Sequence, residues 1–124
     1  MAKKPSRKTL DKKLNALVRE IVLKRDKRCV TCGATPQQQI MEAGHLFSRV
    51  AHSTKWDLKN IYLQCKSCNS KHETDAHPLM RYAESVHGRE AIDALHRKYW
   101  DTKPFKTWQM EELYEELLKK VSQS

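Results

Sequence analysis

Long apolar runs are absent from this 124-residue chain, and no apolar stretch follows its first methionine. The first absence excludes a membrane-spanning helix, which needs about 20 consecutive apolar residues, and the second argues against a secretory signal. We therefore expect a cytoplasmic protein with no membrane partner, whose thiols stay reduced. In that setting the four cysteines are expected to hold metal rather than to form disulfides.

Acidic side chains are scarce, since 15 Asp and Glu stand against 24 Lys and Arg and the net charge is +9. The excess is concentrated near the start, because residues 1–28 hold 11 basic and 3 acidic side chains. Such a charge is typical either of a solvated surface or of a protein that binds polyanions. Composition alone does not separate these two interpretations, so the motifs have to decide between them.

Helical periodicity is lacking over residues 29–72, which carry all four cysteines. Polar and basic residues dominate 1–8, and we predict a disordered arm there. The remainder, 9–124, is predicted to be a single domain, with its chemistry in a core over 29–72 and a helical extension over 76–122. No internal repeat divides it further.

Helical patterns flank this core on both sides. Apolar residues recur at helical spacing over 9–25, with basic side chains on the remaining arc. In the extension, a helix is predicted to begin at Pro78, to be interrupted at Gly88, and to be followed by a second helix over about 89–99. After a break at 102–104, the spacing predicts a last helix.

Aromatic residues make up only 7% of the chain. Trp56, Trp100 and Trp108 each have apolar neighbours in the sequence. We therefore expect all three to be anchors of the core rather than platforms for stacking bases.

The cysteines form two C-x-x-C pairs, and their four members are Cys29, Cys32, Cys65 and Cys68. Each pair can place two thiolates around a tight turn, so that four sulfurs complete a tetrahedron. Gly33 follows the first pair, where a turn needs positive φ. Soft thiolates select zinc, and a closed four-sulfur site is structural rather than catalytic. A redox dithiol and two disulfides are the rival interpretations, but a redox pair needs no distant second copy.

Three segments lie between and just after the cysteine pairs: Ala43-Gly44-His45 with Ser48-Arg49, then Asp57-x-x-Asn60, then Gln64-Cys65-x-x-Cys68-Asn69. In this arrangement the chain resembles the HNH, or ββα-metal, endonucleases. Within them it most resembles the phage recombination endonucleases of the lambda NinG type. The match covers residues 29–72, and the helices after it are compatible with that type.

The resemblance implies a role for each matching residue. His45 would be the general base that takes a proton from the attacking water. Asn60 would hold the loop and orient the imidazole through its amide. Asn69 would bind a catalytic cation, Mg²⁺ or Mn²⁺, and the products would carry 5′-phosphate and 3′-hydroxyl ends.

One position departs from the family pattern. Many HNH nucleases have Asp directly before the base, as a carboxylate ligand of the metal, whereas this chain has Gly44. A hard cation needs an oxygen ligand from somewhere else. Strand alternation places Glu42 on the same face as Gly44, and His72 falls on the same side of a helix as Asn69. Glu42 and His72 are therefore two candidate ligands for the cation.

The predicted partner is DNA. Ser48 and Arg49, just past the base, and Lys12 and Arg19, on the basic side of the first helix, are the candidate phosphate contacts. The resemblance further implies branched or recombination-intermediate DNA in a bacterial host cell. Symmetrical cutting of a junction would need two active sites, so a homodimer is plausible. RNA remains an alternative partner.

The sequence thus predicts an α+β protein, with a small zinc-bound ββα-metal (HNH) core between an N-terminal helix and C-terminal helices. The predicted function is metal-dependent hydrolysis of phosphodiester bonds in DNA. The rival prediction is a non-catalytic zinc ribbon that binds DNA or protein and has the same cysteine pairs. Loss of cleavage in His45→Ala with the zinc site intact is expected only of the enzyme.

Overall fold

The structure, a computed structural model, describes residues 6–123 of the chain. Within them the elements are, in order, α1 (Arg7–Asp26), β1 (Met41–His45), α2 (His52–Lys55), β2 (Ile61–Cys65), α3 (Lys66–His72), α4 (His77–His87), α5 (Arg89–Tyr99) and α6 (Thr107–Gln123). This is a mixed α+β architecture, as the sequence predicts. None of these helices has the length and apolarity that a membrane crossing requires.

Helix α1 begins earlier than the periodicity predicts. The Ser6 side chain accepts a hydrogen bond from the Thr9 backbone N–H, which satisfies one of the free donors of the first turn. Arg7 and Lys8 are therefore helical, and the prediction of a disordered arm is wrong for these two residues. The rest of the predicted arm, up to residue 5, lies outside the described part of the chain.

The two strands pair antiparallel, with Glu42 opposite Gln64 and His45 opposite Ile61. Helix α3 follows β2 without an intervening loop, and the short helix α2 lies between the two strands, so the order along the chain is strand, short helix, strand, helix. All five residues of β2 are buried, because both faces of this strand are covered. Alternate side chains of one strand thereby enter two separate cores.

The first core lies between the sheet, α1 and α6. It contains the apolar side of α1, two cysteines and the odd-numbered residues of β2, among them Leu14, Val22, Ile61, Leu63 and Leu117. The second core lies on the other face of the sheet, where Tyr62 and Leu46 pack against residues of α4 and α5 such as Leu79, Ala83 and Ile92. The flanking helices are thus fixed to the sheet from both sides.

The end of α1 also holds the start of β2 by polar contacts. Arg25 donates hydrogen bonds to the carbonyls of Leu58 and Ile61 at 2.8 and 2.6 Å. The Asp26 carboxylate accepts from the Leu63 backbone N–H at 2.9 Å. The bonds to Ile61 and Leu63 satisfy backbone groups that the two-stranded sheet leaves unpaired on its outer edge, and the bond to Leu58 holds the loop before β2.

The predicted boundaries in the helical extension agree with the structure to within about two residues. Pro78 lies in the first turn of α4, where its missing N–H costs nothing, and the Asp75 carboxylate accepts from the His77 backbone N–H. Gly88 separates α4 from α5 with a φ of +88°, which favours glycine.

The prediction of three buried tryptophans is right only for Trp56, which is 2% exposed. Trp100 and Trp108 are 68% and 55% exposed. Both lie at a helix end, Trp100 just after α5 and Trp108 in the first turn of α6. Apolar neighbours in sequence did not predict burial there, because a residue at a helix end can point away from the core that its neighbours enter.

Candidate metal centre and active-site cleft

The four predicted cysteines come together in space. Their sulfur atoms all lie within 4.8 Å of one another, although the two pairs are far apart in the sequence. Such a group of four thiols could bind a structural zinc ion in a tetrahedral site.

Two local turns bring the sulfurs to this point. In the first pair, the Gly33 N–H donates to the Cys29 carbonyl at 2.9 Å, and Gly33 has the predicted positive φ of +80°. In the second pair, Cys65 caps α3, because its sulfur accepts from the Cys68 N–H at 3.4 Å. The hairpin then holds the two turns side by side.

The acidity of the thiols is consistent with a site that needs a cation. Burial raises the pKa of Cys29, but hydrogen bonds from the Thr31 side chain and from nearby backbone outweigh burial and lower this pKa to about 6. Burial raises the pKa of Cys68 to about 12, with a further contribution from the neighbouring thiols. Four thiolates so close together repel one another, so a positive ion is required to hold all four in the charged form.

A second site lies along the free edge of β1, in an open cleft of about 920 Å³ between α1 and α3. Seven of the predicted site residues line this cleft: Arg19, Glu42, His45, Ser48, Arg49, Asn69 and His72. They come from α1, β1, the loop after β1, and α3. The tertiary structure therefore gathers most of the predicted catalytic, metal-binding and DNA-binding side chains around one space.

The imidazole of His45 is held in one orientation. Its Nε2 lies 2.8 Å from the backbone carbonyl oxygen of Lys55. Since a carbonyl only accepts hydrogen bonds, Nε2 carries the proton and Nδ1 keeps its lone pair. Burial, together with the positive charges of Arg49 and Lys55, lowers the pKa of His45 to about 4, despite hydrogen bonding to backbone, chiefly to the Lys55 carbonyl. The ring is therefore neutral at pH 7.

Asn60 is completely buried, next to the loop that follows β1. Its amide nitrogen donates to the carbonyls of Phe47 and Thr54, both at 3.0 Å, and its amide oxygen accepts from the Phe47 N–H at 2.8 Å. Asn60 thus holds the loop, as the resemblance implies. Among the described residues its amide does not contact the imidazole, so the prediction that it orients the ring directly is wrong. That contact comes from Lys55, whose position the held loop determines.

Glu42 and Asn69 are in direct contact in the wall of the cleft. The Asn69 amide nitrogen donates to the Glu42 carboxylate at 3.0 Å. Because the nitrogen is turned to Glu42, the amide oxygen of Asn69 points towards Gly44, 2.9 Å from the place where a Cβ on this glycine would lie. The two oxygen-bearing side chains are therefore neighbours, as strand alternation predicts for Glu42.

His72 is the second histidine of the cleft with a ring nitrogen that can accept a hydrogen bond. Its Nε2 lies 3.0 Å from the Leu46 carbonyl oxygen, which fixes the proton on Nε2. The other nitrogen, Nδ1, is buried and has no hydrogen-bond partner among the described residues. A buried acceptor without a donor is costly, and a cation would satisfy it.

The predicted DNA contacts fall into two groups. Ser48 and Arg49 are exposed at the mouth of the cleft, and Arg19 reaches its wall, where the guanidinium donates to the Met41 carbonyl at 3.3 Å. Lys12 is exposed on α1 and does not line the cleft. The structure therefore brings three of the four residues to the site.

Comparison with known families identifies the chain. A family model described as the bacteriophage lambda NinG protein matches residues 2–123. The chain belongs to the NinG family. No curated protein and no solved structure matches it. Membership of NinG, a phage family, agrees with the resemblance predicted from the motifs, and the match extends through the helices on both sides of the 29–72 core.

The sequence analysis missed three contributors to this NinG site. The backbone of Lys55 holds His45, and no side-chain pattern could have indicated that role. Gln64 is 1% exposed and lies over Gly44, while Thr31 connects Gln64 to the cysteine cluster. Gln64 was visible in the sequence as a polar residue within an apolar strand, which is a signal for a buried polar role.

Proposed function

We propose that this NinG-family chain is a metal-dependent DNA endonuclease of the HNH type. The observation that carries the proposal is the placement of His45. Its Nε2 is fixed by the Lys55 carbonyl, and His45 lines the same cleft as Glu42 and Asn69. A fixed base and oxygen ligands that line one open cleft are the groups that hydrolysis of a phosphodiester requires.

His45 would act as the general base. Because its pKa is about 4, the ring is unprotonated at neutral pH and Nδ1 can accept a proton from a water molecule. The water oxygen forms a bond to phosphorus while the bond from phosphorus to the 3′ oxygen breaks. The departing oxygen takes a proton from solvent, which leaves 5′-phosphate and 3′-hydroxyl ends.

Three residues that line the cleft together with His45 fit a hard divalent cation. Asn69 supplies an amide oxygen, Glu42 a carboxylate, and His72 a buried imidazole nitrogen that no described residue contacts by a hydrogen bond. Oxygen-rich sets of this kind suit Mg²⁺ or Mn²⁺, whereas the four thiols suit zinc. When bound there, such a cation would polarise the phosphate and stabilise the departing 3′ oxygen.

Charge and family together support DNA as the substrate. The chain carries +9, and Arg19, Ser48 and Arg49 can contact phosphates around the cleft. Contacts of this kind read the shape and the backbone of DNA rather than base edges. We infer branched or recombination-intermediate DNA as the preferred substrate, with a homodimer for symmetrical cuts.

The test is cleavage of labelled linear, flapped and four-way-branched DNA by zinc-loaded protein with Mg²⁺ or Mn²⁺. We expect the wild type to cut, the branched DNA most efficiently, and His45→Ala to lose activity by a factor of roughly 10² to 10⁴. The matched control is His77→Ala, because the His77 side chain is 85% exposed and lies outside the cleft.

DNA binding by His45→Ala separates the two functional classes. We expect this variant to bind DNA as the wild type does, since His45 is not one of the predicted phosphate contacts. A wild type that binds these DNAs but cuts none with either ion would overturn the nuclease proposal. The non-catalytic zinc-binding module would then be the function to pursue.

A further inference from the structure

Gly44 differs from the other two glycines of the chain. Gly33 and Gly88 have positive φ, and a Cβ added to either would meet nothing within 4 Å. Gly44 has no positive φ, so its backbone does not require glycine. A Cβ at Gly44 would instead overlap the amide oxygen of Gln64. The missing side chain therefore provides space, and Gln64 uses that space.

The Gln64 amide oxygen is buried without a partner. The residue is 1% exposed, and its Oε1 accepts no hydrogen bond from the described residues. The Asn69 oxygen points to the same position beside Gly44, since its own nitrogen is engaged by Glu42. Two acceptors thus face one point, with no donor from the described residues between them. Such an arrangement costs free energy unless a cation or a donor joins it.

The cysteine cluster determines which way the Gln64 amide is turned. The Thr31 hydroxyl lies 3.3 Å from the Cys29 sulfur and 3.3 Å from the Gln64 nitrogen. A zinc-bound thiolate can only accept, so the Thr31 proton goes to sulfur. The Thr31 oxygen then accepts from the amide nitrogen of Gln64, and the Gln64 oxygen must face Gly44 and Asn69.

We propose that the Gln64 amide oxygen is a ligand of the divalent cation that the proposed function requires. Gln64 lies on β2, and its oxygen reaches the cation through the space that Gly44 leaves by having no side chain. An amide oxygen is a hard ligand that Mg²⁺ and Mn²⁺ accept. The cation would satisfy the buried Oε1 and would join β2 to Asn69 on α3 and Glu42 on β1. The inference rests on the proposed function, but it concerns cation binding and is tested without DNA.

The experiment measures binding of Mn²⁺ alone to the zinc-loaded full chain, by calorimetry and by electron paramagnetic resonance. Gln64→Leu removes the oxygen and keeps the volume, and Gly44→Ala places a Cβ against Gln64. We expect both variants to bind Mn²⁺ more weakly by roughly tenfold or more. Gln64→Glu keeps an oxygen at this point and is expected to bind at least as tightly as the wild type.

A matched control and a direct readout accompany these variants. Gln37→Leu makes the same exchange at an exposed position away from the cleft, and its Mn²⁺ affinity is expected to be unchanged. Zinc content and circular dichroism establish that each variant is folded. In the wild type, Mn²⁺ should broaden the nuclear magnetic resonance signals of the Gln64 side-chain amide more than those of Gln37.

The outcomes separate this inference from the proposed function. Equal Mn²⁺ affinity in wild type and folded Gln64→Leu, or no broadening at Gln64, would overturn the assignment of Gln64 and leave DNA cleavage untouched. A wild type that binds no Mn²⁺ would also overturn it. Weaker binding in Gln64→Leu, retained in Gln64→Glu, supports the ligand even if the wild type cuts no DNA.

Discussion

The two candidate metal centres use the same hairpin in different ways. In the cysteine cluster the ligands are of one type and come in two local pairs, whose sulfurs meet within 4.8 Å. In the cleft the groups are of three types and come from β1 and α3, with Glu42, Asn69 and His72 among the lining residues, and the proposed ligand Gln64 would add an oxygen from β2. We expect the first set to assemble around its ion, whereas the second would be positioned by a fold that already exists.

The contrast predicts different energetic roles for the ions that the two sites would hold. Thiolates are scattered in the unfolded chain, so we expect zinc binding and folding to be one equilibrium. The residues of the cleft are already positioned by Asn60, which fixes the loop after β1, and by the Glu42–Asn69 hydrogen bond. Three further predictions test this contrast, beginning with the largest expected effect.

Loss of zinc should unfold the core. A zinc site of this kind contributes on the order of 10 kcal/mol, which is comparable to the whole stability of a small domain. We expect a strong chelator, or Cys68→Ser, to abolish the cooperative melting transition. Circular dichroism measures this transition, and the zinc content of each sample is determined in parallel. Omitting Mg²⁺ and Mn²⁺ from the zinc-loaded protein should leave that transition nearly unchanged.

Ser67→Ala is the matched control for the serine exchange, since Ser67 lies between the two cysteines of the second pair. A chain that keeps its melting transition after complete removal of zinc would contradict the difference between the two centres, because both would then be positioned by the fold alone.

The second prediction concerns His45 and acid. Its pKa is lowered from 6.5 to about 4 in the folded protein, so the unfolded chain takes up the proton first as the pH falls. The corresponding stability is complete above pH 6.5, decreases as the pH falls from there, and is lost by about pH 4. The loss amounts to about 3 kcal/mol.

Urea unfolding of zinc-loaded protein at several pH values measures this loss, without added Mg²⁺ or Mn²⁺. His45→Gln is the comparison, because its amide can still donate to the Lys55 carbonyl but does not titrate. As the pH falls below 6.5, the wild type should lose more stability than this variant over the range in which the zinc content of both proteins stays constant. Parallel pH profiles of the two proteins would show that the imidazole is not held in the neutral form.

The smallest effect is expected at Thr31, which connects the two centres. Thr31→Val keeps the shape and removes the hydroxyl that lies between Cys29 and Gln64. We expect a stability loss of about 1 kcal/mol, measured by urea unfolding, and a Mn²⁺ affinity lower by less than tenfold. Thr35→Val, in the same loop, is the control. Mn²⁺ binding unchanged by Thr31→Val would mean that the centres act independently.

Several elements were predictable because their signals are local. The amphipathic α1, the start of α4 near Pro78 and the break at Gly88 depend on spacing and on residue type. The cysteine cluster was predictable because two C-x-x-C pairs in one short chain are typical of a structural zinc site. His45 was found through its place between these pairs.

Other features had no local signal. The ends of α5 and α6 carry the exposed Trp100 and Trp108, and their direction depends on packing that no window of sequence contains. The same is true of the Lys55 carbonyl, a backbone group that every residue has. The sequence showed that Gly44 departs from the family pattern. The structural reason for a glycine at this position lies on the partner strand, where Gln64 occupies the space that a side chain would need.

The sequence by itself determined the family, the α+β class, the four thiols and seven candidate residues that the fold brings to the cleft, since each depends on residue type and motif. The tertiary structure alone decided how those residues act. Antiparallel pairing places Gln64 over Gly44, and the loop held by Asn60 brings a carbonyl to His45. Hydrogen-bond direction then fixes which imidazole nitrogen and which amide oxygen can accept, because a carbonyl and a thiolate never donate.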